Sequence, residues 1–238
     1  MSVAALLLGD SRFPAGGHAH SGGVEPAVTA RTVTDLDTLE AFLRGRLRTA
    51  GLVAAGVSAA ACARARGAAA TADTWAELDA EVDARTPSPA QREASRRQGR
   101  ALLRAARVAW PEAAGLADLA ARREHPGDAP REYRGGPHHA IVLGVAAAAA
   151  GCAPGEAARI AAYQAMAGPV SAAVRLLALD PMRATGVLAR LSADIERVAE
   201  AGAAHADGPL ADLPCASAPA LDLLAEAHMS AEVRLFES

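Results

Sequence analysis

The chain has 238 residues and a net charge of −3, and 51% of its residues are hydrophobic although only 3% are aromatic. Its apolar mass is therefore Ala, Leu and Val, which suits closely packed helices better than β-sandwiches. The acidic balance and the scarcity of rings for base stacking argue against nucleic-acid binding. All 24 basic residues are arginine, so the lysine that a phosphate-binding P-loop requires is missing.

The chain opens on "MSVAALLLGDSR", an apolar run too short and too poor in basic residues for a secretory leader. The longest apolar run, Ala140 to Ala153, is interrupted by glycine. It falls short of the ~18 residues that a spanning helix needs. Cys62, Cys152 and Cys215 lie far apart and form no CxxC pair, and free thiols fit a reducing cytoplasm. A cytoplasmic protein is expected.

Next comes "FPAGGHAHSGGVE", Phe13 to Glu25, with four glycines, a proline and two histidines. Its spacing is wrong for GxGxxG. Gly16-Gly17 and Gly22-Gly23 permit positive φ and close backbone approach, and Pro14 stiffens the entry. The segment reads as a compact, exposed backbone surface outside the core, suited to docking another protein.

Leu36, Leu39, Leu43 and Leu47 then keep helical spacing, with Asp35, Asp37 and Glu40 near the start, where the helix dipole favours them. The pattern runs to about Arg66, with Gly51 and Gly56 as candidate breaks. A polar helix is expected over Asp73 to Ala84. Ser88, Pro89 and Gln91 predict a capping box with proline at the first helical position. The front half of that helix is charged, which reads as a solvated face with a Glu93–Arg97 pair. Glu124 to Pro137 reads as a surface loop. Helices are expected at His138–Gly151, Gly155–Ala167, Val170–Leu179 and Met182–Ala203, the last capped by Asp180 and Pro181 with a stripe of Leu188, Leu191, Ile195 and Val198. A final helix starts at about Pro219 and leads to the tail "VRLFES". The pattern predicts an all-α fold, one multi-helix bundle over residues 1–238.

Chemistry is harder to find. His18 and His20 lie two apart, and His138 and His139 are adjacent, so neither pair shares a helical face as i, i+4 ligands would. No GxSxG elbow is present. The carboxylates sit at helix starts, where capping explains them. No catalytic residue, metal site or cofactor is assigned. Two alternatives stay open: a metal-ion carrier using His18 and His20, and a helical enzyme with His20 or His138 as general base.

Four stretches carry a resemblance. "LLLGDSRFPAGGHAHSGGVE" is similar to the N-terminal signature of the UreF urease accessory family at Leu8, Asp10, Ser11, Phe13, Pro14, Gly16, Gly17, His20, Ser21, Gly23 and Glu25. "REASRRQGRALL", "HHAIVLGVAAAAAG" and "AHMSAEVRLFES" follow in the family's order, the last resembling a tail motif at His228, Arg234, Leu235, Phe236 and Ser238. Ala15 and His18 stand where many members carry Thr and Phe, and Glu237 replaces a common Arg.

The resemblance implies an all-helical, non-enzymatic chaperone that dimerises. It binds a UreD-type protein (also called UreH) and recruits the GTPase UreG, which it regulates, for nickel insertion into apo-urease. The partner-binding residues it implies are Phe13, Pro14, Gly16, Gly17, His20, Ser21, Gly22, Gly23, Glu25, Arg234, Leu235 and Phe236. Val233, Leu235 and Phe236 are apolar residues at a chain end, and the tail, residues 229–238, is expected to order on partner binding while adding little to the fold.

Overall fold

The computed structural model describes residues 3–10, 12–14, 17–67, 71–124, 135–231 and 235–236. These form eleven α-helices and no β-strand. The helices are α1 (Val3–Gly9), α2 (Val24–Thr29), α3 (Leu36–Arg46), α4 (Leu52–Arg66), α5 (Ala72–Ala84), α6 (Pro89–Ala109), α7 (Ala114–Glu124), α8 (His139–Ala149), α9 (Pro154–Leu177), α10 (Pro181–Ala203) and α11 (Pro219–Met229). Residues 125–134, most of the expected surface loop, lie outside the described residues.

The caps follow from local chemistry. Asp35 and Thr38 cap α3 reciprocally, and Thr71 and Thr74 do the same for α5. Asp180 accepts from the Met182 N–H ahead of Pro181 at the start of α10. Ser88 accepts from Gln91 N–H at 3.1 Å, and the group that completes this cap is Glu226 of α11, which accepts from both the Ser88 hydroxyl and Ala90 N–H. One carboxylate thereby fastens α11 to the head of α6.

Two expected interruptions take another form. Between α3 and α4, Leu47–Gly51 makes a π-helical turn, so the chain keeps winding past Gly51. The expected break near Gly168-Pro169 is absent, and α9 runs unbroken through Pro169. Proline has no N–H for the carbonyl four residues back. That orphaned acceptor, Ala165 O, receives the Arg46 Nε–H at 3.2 Å instead.

Buried side chains fall into two clusters that share α4 and α9. Val57, Ala61 and Cys62 of α4 and Ile160 of α9 face one cluster, built with α5, α6, α7 and α8 around Trp75, Leu78, Leu102 and Leu143. Ala55 and Ala59 of α4 and Met166 of α9 face the other, with α2, α3 and α10. A helix covered on both sides must be largely apolar, and α4 is from Leu52 to Cys62, as is its neighbour α8. Small residues let them approach: a Cβ on Gly144 would lie 2.3 Å from Ser58 O and 2.6 Å from Ala61 Cβ. Ser58 Oγ–H closes the contact on Ala140 O at 2.9 Å. α5 is less polar than expected, because Trp75, Leu78 and Val82 are core residues.

Arginine also ties irregular chain to the bundle. The guanidinium of Arg85 donates to the carbonyls of Leu210, Ala211, Leu213 and Pro214, and that of Arg64 to Ala206 and Gly208. The five-donor fork can reach several carbonyls at once, which an ammonium group does less well. The Ala- and Pro-rich connection to α11, whose regular structure is a single 3₁₀ turn at Leu210–Asp212, is thereby held to the bundle.

Candidate docking site

Half of the glycine segment is built into the body. Asp10 O accepts from Phe13 N–H at 3.0 Å, and this turn drops the Phe13 ring beside Trp110, with centroids 6.0 Å apart. The Arg12 side chain clasps Asp10 at the surface, and its hydrogen bonds hold that carboxyl at a pKa of about 2. Pro14 and Gly17 are exposed, while Phe13 and Ser21 are buried. This corrects the expectation of a segment lying wholly outside the core. Ser11, Ala15 and Gly16 lie outside the described residues, as does the His18 side chain.

The glycines divide by role. Gly17 opens a single 3₁₀ turn, Gly17–Ala19, and is absent from the positive-φ positions. Gly22 and Gly23 hold φ of 59° and 89° and swing the chain into α2. A Cβ on Gly22 would sit 2.9 Å from Pro169 Cγ and 3.2 Å from Arg46 Nη2. Gly22→Val is therefore expected to cost about 1–3 kcal/mol from backbone strain alone. Gly17→Val should stay within about 0.5 kcal/mol of the parent, as surface changes do. Urea denaturation of both variants checks this, and equal losses would contradict the assignment.

The first turn of α2 receives the other end of the chain. Glu25 is buried, and its carboxylate accepts from the N–H groups of Leu235 at 2.7 Å and Phe236 at 2.9 Å. His228 of α11 closes the clasp: its Nε2 lies 3.1 Å from Phe236 O and 3.4 Å from the Glu25 carboxylate. The Phe236 ring is covered by the Arg175 guanidinium, 4.3 Å from its centroid. Phe236 is thus tucked onto its own protein, which corrects the expected free tail, while Leu235 remains 74% exposed. Residues 232–234, with Val233 and Arg234, and residues 237–238, with Glu237 and Ser238, lie outside the described residues. His20, Gly22 and Gly23 on one side and Glu25, Leu235 and Phe236 on the other therefore share one end of the bundle, around α2.

The family model for UreF matches residues 33–192, more than half of the chain. A urease accessory protein UreF of Mycolicibacterium vanbaalenii is 46% identical over 236 residues, covering 98% of this chain and 97% of that protein. The corresponding proteins of Mycobacterium tuberculosis and Mycobacterium marinum are each 45% identical, over 95% and 98% of this chain and 94% and 97% of their own lengths. The chain belongs to the UreF family.

Within this UreF-family chain the polar clusters bear on the carrier and enzyme readings. Among the described residues, Asp79, Asp83 and His138 alone form a set of three close metal-type donors. A cation already occupies it. Arg96, 4% exposed, donates to both Asp79 oxygens at 3.1 and 2.8 Å, to Asp83 Oδ2 at 2.7 Å and to Gly136 O at 2.7 Å. His138 spans Ser95 at 3.0 Å and Asp83 at 2.9 Å through its two ring nitrogens. Burial alone would raise the Asp83 pKa, but the His138 hydrogen bond and the Arg96 charge outweigh it and hold it below the ordinary value. His138 is thus a buried structural partner. The front half of α6 is thus not the wholly solvated face that its charge predicts; Glu93–Arg97 does pair as expected at 2.9 Å, but Arg96 points inward.

His139 differs from its neighbour. Its Nε2 is buried without a hydrogen-bond partner among the described residues, and burial, with a smaller effect of His20, pushes its pKa from 6.5 down to about 4. The unfolded chain takes up a proton near pH 6.5 that the folded chain refuses until about pH 4. This contribution to stability is complete above the upper value and falls as pH drops between the two. The melting temperature is expected to decline from pH 7 to pH 5, less so in His139→Gln. Equal slopes would contradict the burial of a neutral imidazole.

No described helix is long and apolar enough to cross a membrane. Cys62 and Cys152 are buried, and burial pushes the Cys62 thiol up to about 12, which keeps it protonated and inert.

Proposed function

We propose that this chain is a non-catalytic urease maturation factor that joins a UreD/UreH-type protein to a UreG-type GTPase during nickel insertion into apo-urease, and that it regulates the GTPase. The observation that carries the reading is the likeness to urease accessory proteins UreF over almost the whole length of both chains. The end of the bundle around α2, with Pro14, Gly17, His20 and Leu235 at or near its surface, is the proposed docking face. Gly16 and Arg234 belong to the same proposal through the sequence resemblance. Phe13, Ser21, Gly22, Gly23, Glu25 and Phe236 act one step back, by holding that face in shape.

In this reading the protein works in the cytoplasm as a homodimer within the larger complex, and nickel is cargo that passes between partners. Arg96 fills the carboxylates of Asp79 and Asp83, and His138 is held by Ser95 and Asp83, which speaks against His138 as a general base. The carrier alternative rests on His18 and His20 and is decided by nickel binding. Co-purification with UreD-type and UreG-type partners, set beside calorimetry with nickel alone, separates the readings. A stable complex with weak or no intrinsic nickel binding is the expected result. Tight nickel binding by the isolated chain, lost when His18 and His20 are replaced, would favour the carrier.

A further inference from the structure

Arg46 lies at the last turn of α3. Its Nε–H serves the Ala165 carbonyl released by Pro169, and no carboxylate lies within ion-pair distance among the described residues. The guanidinium head packs against Gly22, where a Cβ would come within 3.3 Å of its Cζ. It also lines a cavity of about 410 Å³ between α4, α6, α8 and α9. Burial with no offsetting partner lowers its pKa to about 10, so it remains a cation at neutral pH.

We propose that this cavity is an oxyanion-binding site, taking the carboxylate or phosphate group of a small molecule, with Arg46 as its charged anchor. The space matches the ~300–1,000 Å³ of typical ligand sites. A planar guanidinium with its outer nitrogens uncommitted is the group best shaped for a bidentate oxyanion. Gln98 and Tyr163 line the same cavity and add neutral polar groups. The buried Nε2 of His139, which has no hydrogen-bond partner among the described residues, is a third polar atom at its wall. The cavity's carboxylate among the described residues, Asp10, is clasped by Arg12 and so leaves Arg46 unneutralised. Leu8, Phe13 and Leu143 supply an apolar wall for the body of an organic acid.

The test is calorimetric titration of the full chain with inorganic phosphate and, separately, with acetate, at fixed ionic strength with chloride as the balancing anion. A single saturable site is expected, at least tenfold weaker in Arg46→Met and unchanged in Arg190→Met, which alters an exposed arginine paired with Glu40. Tighter binding of acetate assigns the carboxylate class, and tighter binding of phosphate the phosphate class. Should Arg46→Met fold poorly, crystals of the unaltered protein soaked in selenate read the same point. Anomalous density at the Arg46 guanidinium supports the site. Density only at exposed arginines, an adventitious ion only, or titration indistinguishable from chloride, overturns it. The measurement uses no partner protein, so its failure leaves the proposed role in urease maturation untouched.

Discussion

Arg96→Met is expected to destabilise the protein by about 3–5 kcal/mol, the cost of stripping one partner from a buried ion pair. Arg96 is 4% exposed and its guanidinium serves Asp79, Asp83 and the Gly136 carbonyl together. Without it Asp79, also buried, loses the guanidinium that offsets its charge, and Asp83 keeps His138 and a longer pairing with Arg92 at 3.8 Å. Burial, no longer opposed by the Arg96 charge, would then push the Asp83 pKa upward. The loss arises from what is left behind rather than from the intrinsic worth of the pair. Arg96→Met combined with Asp79→Leu is therefore expected to recover part of it. Chemical denaturation of the single and double variants measures both terms, and a single-variant loss below about 1 kcal/mol would contradict the assignment.

Glu25→Leu is expected to release the tail. Two backbone N–H groups, of Leu235 and Phe236, lose a charged acceptor, and hydrogen bonds to charged groups are worth about 1.5–3 kcal/mol each. Exposed chain recovers entropy and water when it lets go, so the net loss in stability is expected at about 1.5–3 kcal/mol in total. Partner capture should weaken as well, because Leu235 is then no longer held in place. Leu235→Ser separates the two effects. Its side chain is 74% exposed, so the melting temperature should hold while co-purification with the UreD-type partner declines. Normal capture by both variants would show that this end of the bundle is not a docking face.

What could be read in the sequence is what local chemistry decides. The caps at Ser88 and Asp180 serve N–H groups two or three positions on, and the structure has both, although the group that completes the first is Glu226 of α11 rather than Gln91. The stripe on α10 is equally local, with Leu191 and Ile195 buried where the spacing places them. Pro169 misleads because the donor that compensates it, Arg46, comes from 119 residues before the Ala165 carbonyl it serves, and no local rule supplies it. Arg96 misleads for the same reason: α6 is charged on several sides, and only the approach of α5 shows which arginine turns inward.

The site divides along the same line. Glu25, His228 and Phe236 are all visible as motif positions through the family resemblance, but their clasp joins residues up to 211 apart. The two glycine pairs look alike in sequence. Only the turn into α2 and the packing of Pro169 against Gly22 reveal that Gly22 and Gly23 need positive φ while Gly17 does not.

The central claim is that this chain acts by assembling partners. Its most direct measurement is activation of apo-urease by nickel and GTP in a reconstituted mixture of the UreD-type and UreG-type proteins, with and without this chain. Activation that requires the chain, accompanied by its co-elution with both partners, is the predicted result. Full activation without it, or activation by the nickel-loaded chain alone with no partner bound, would contradict the account.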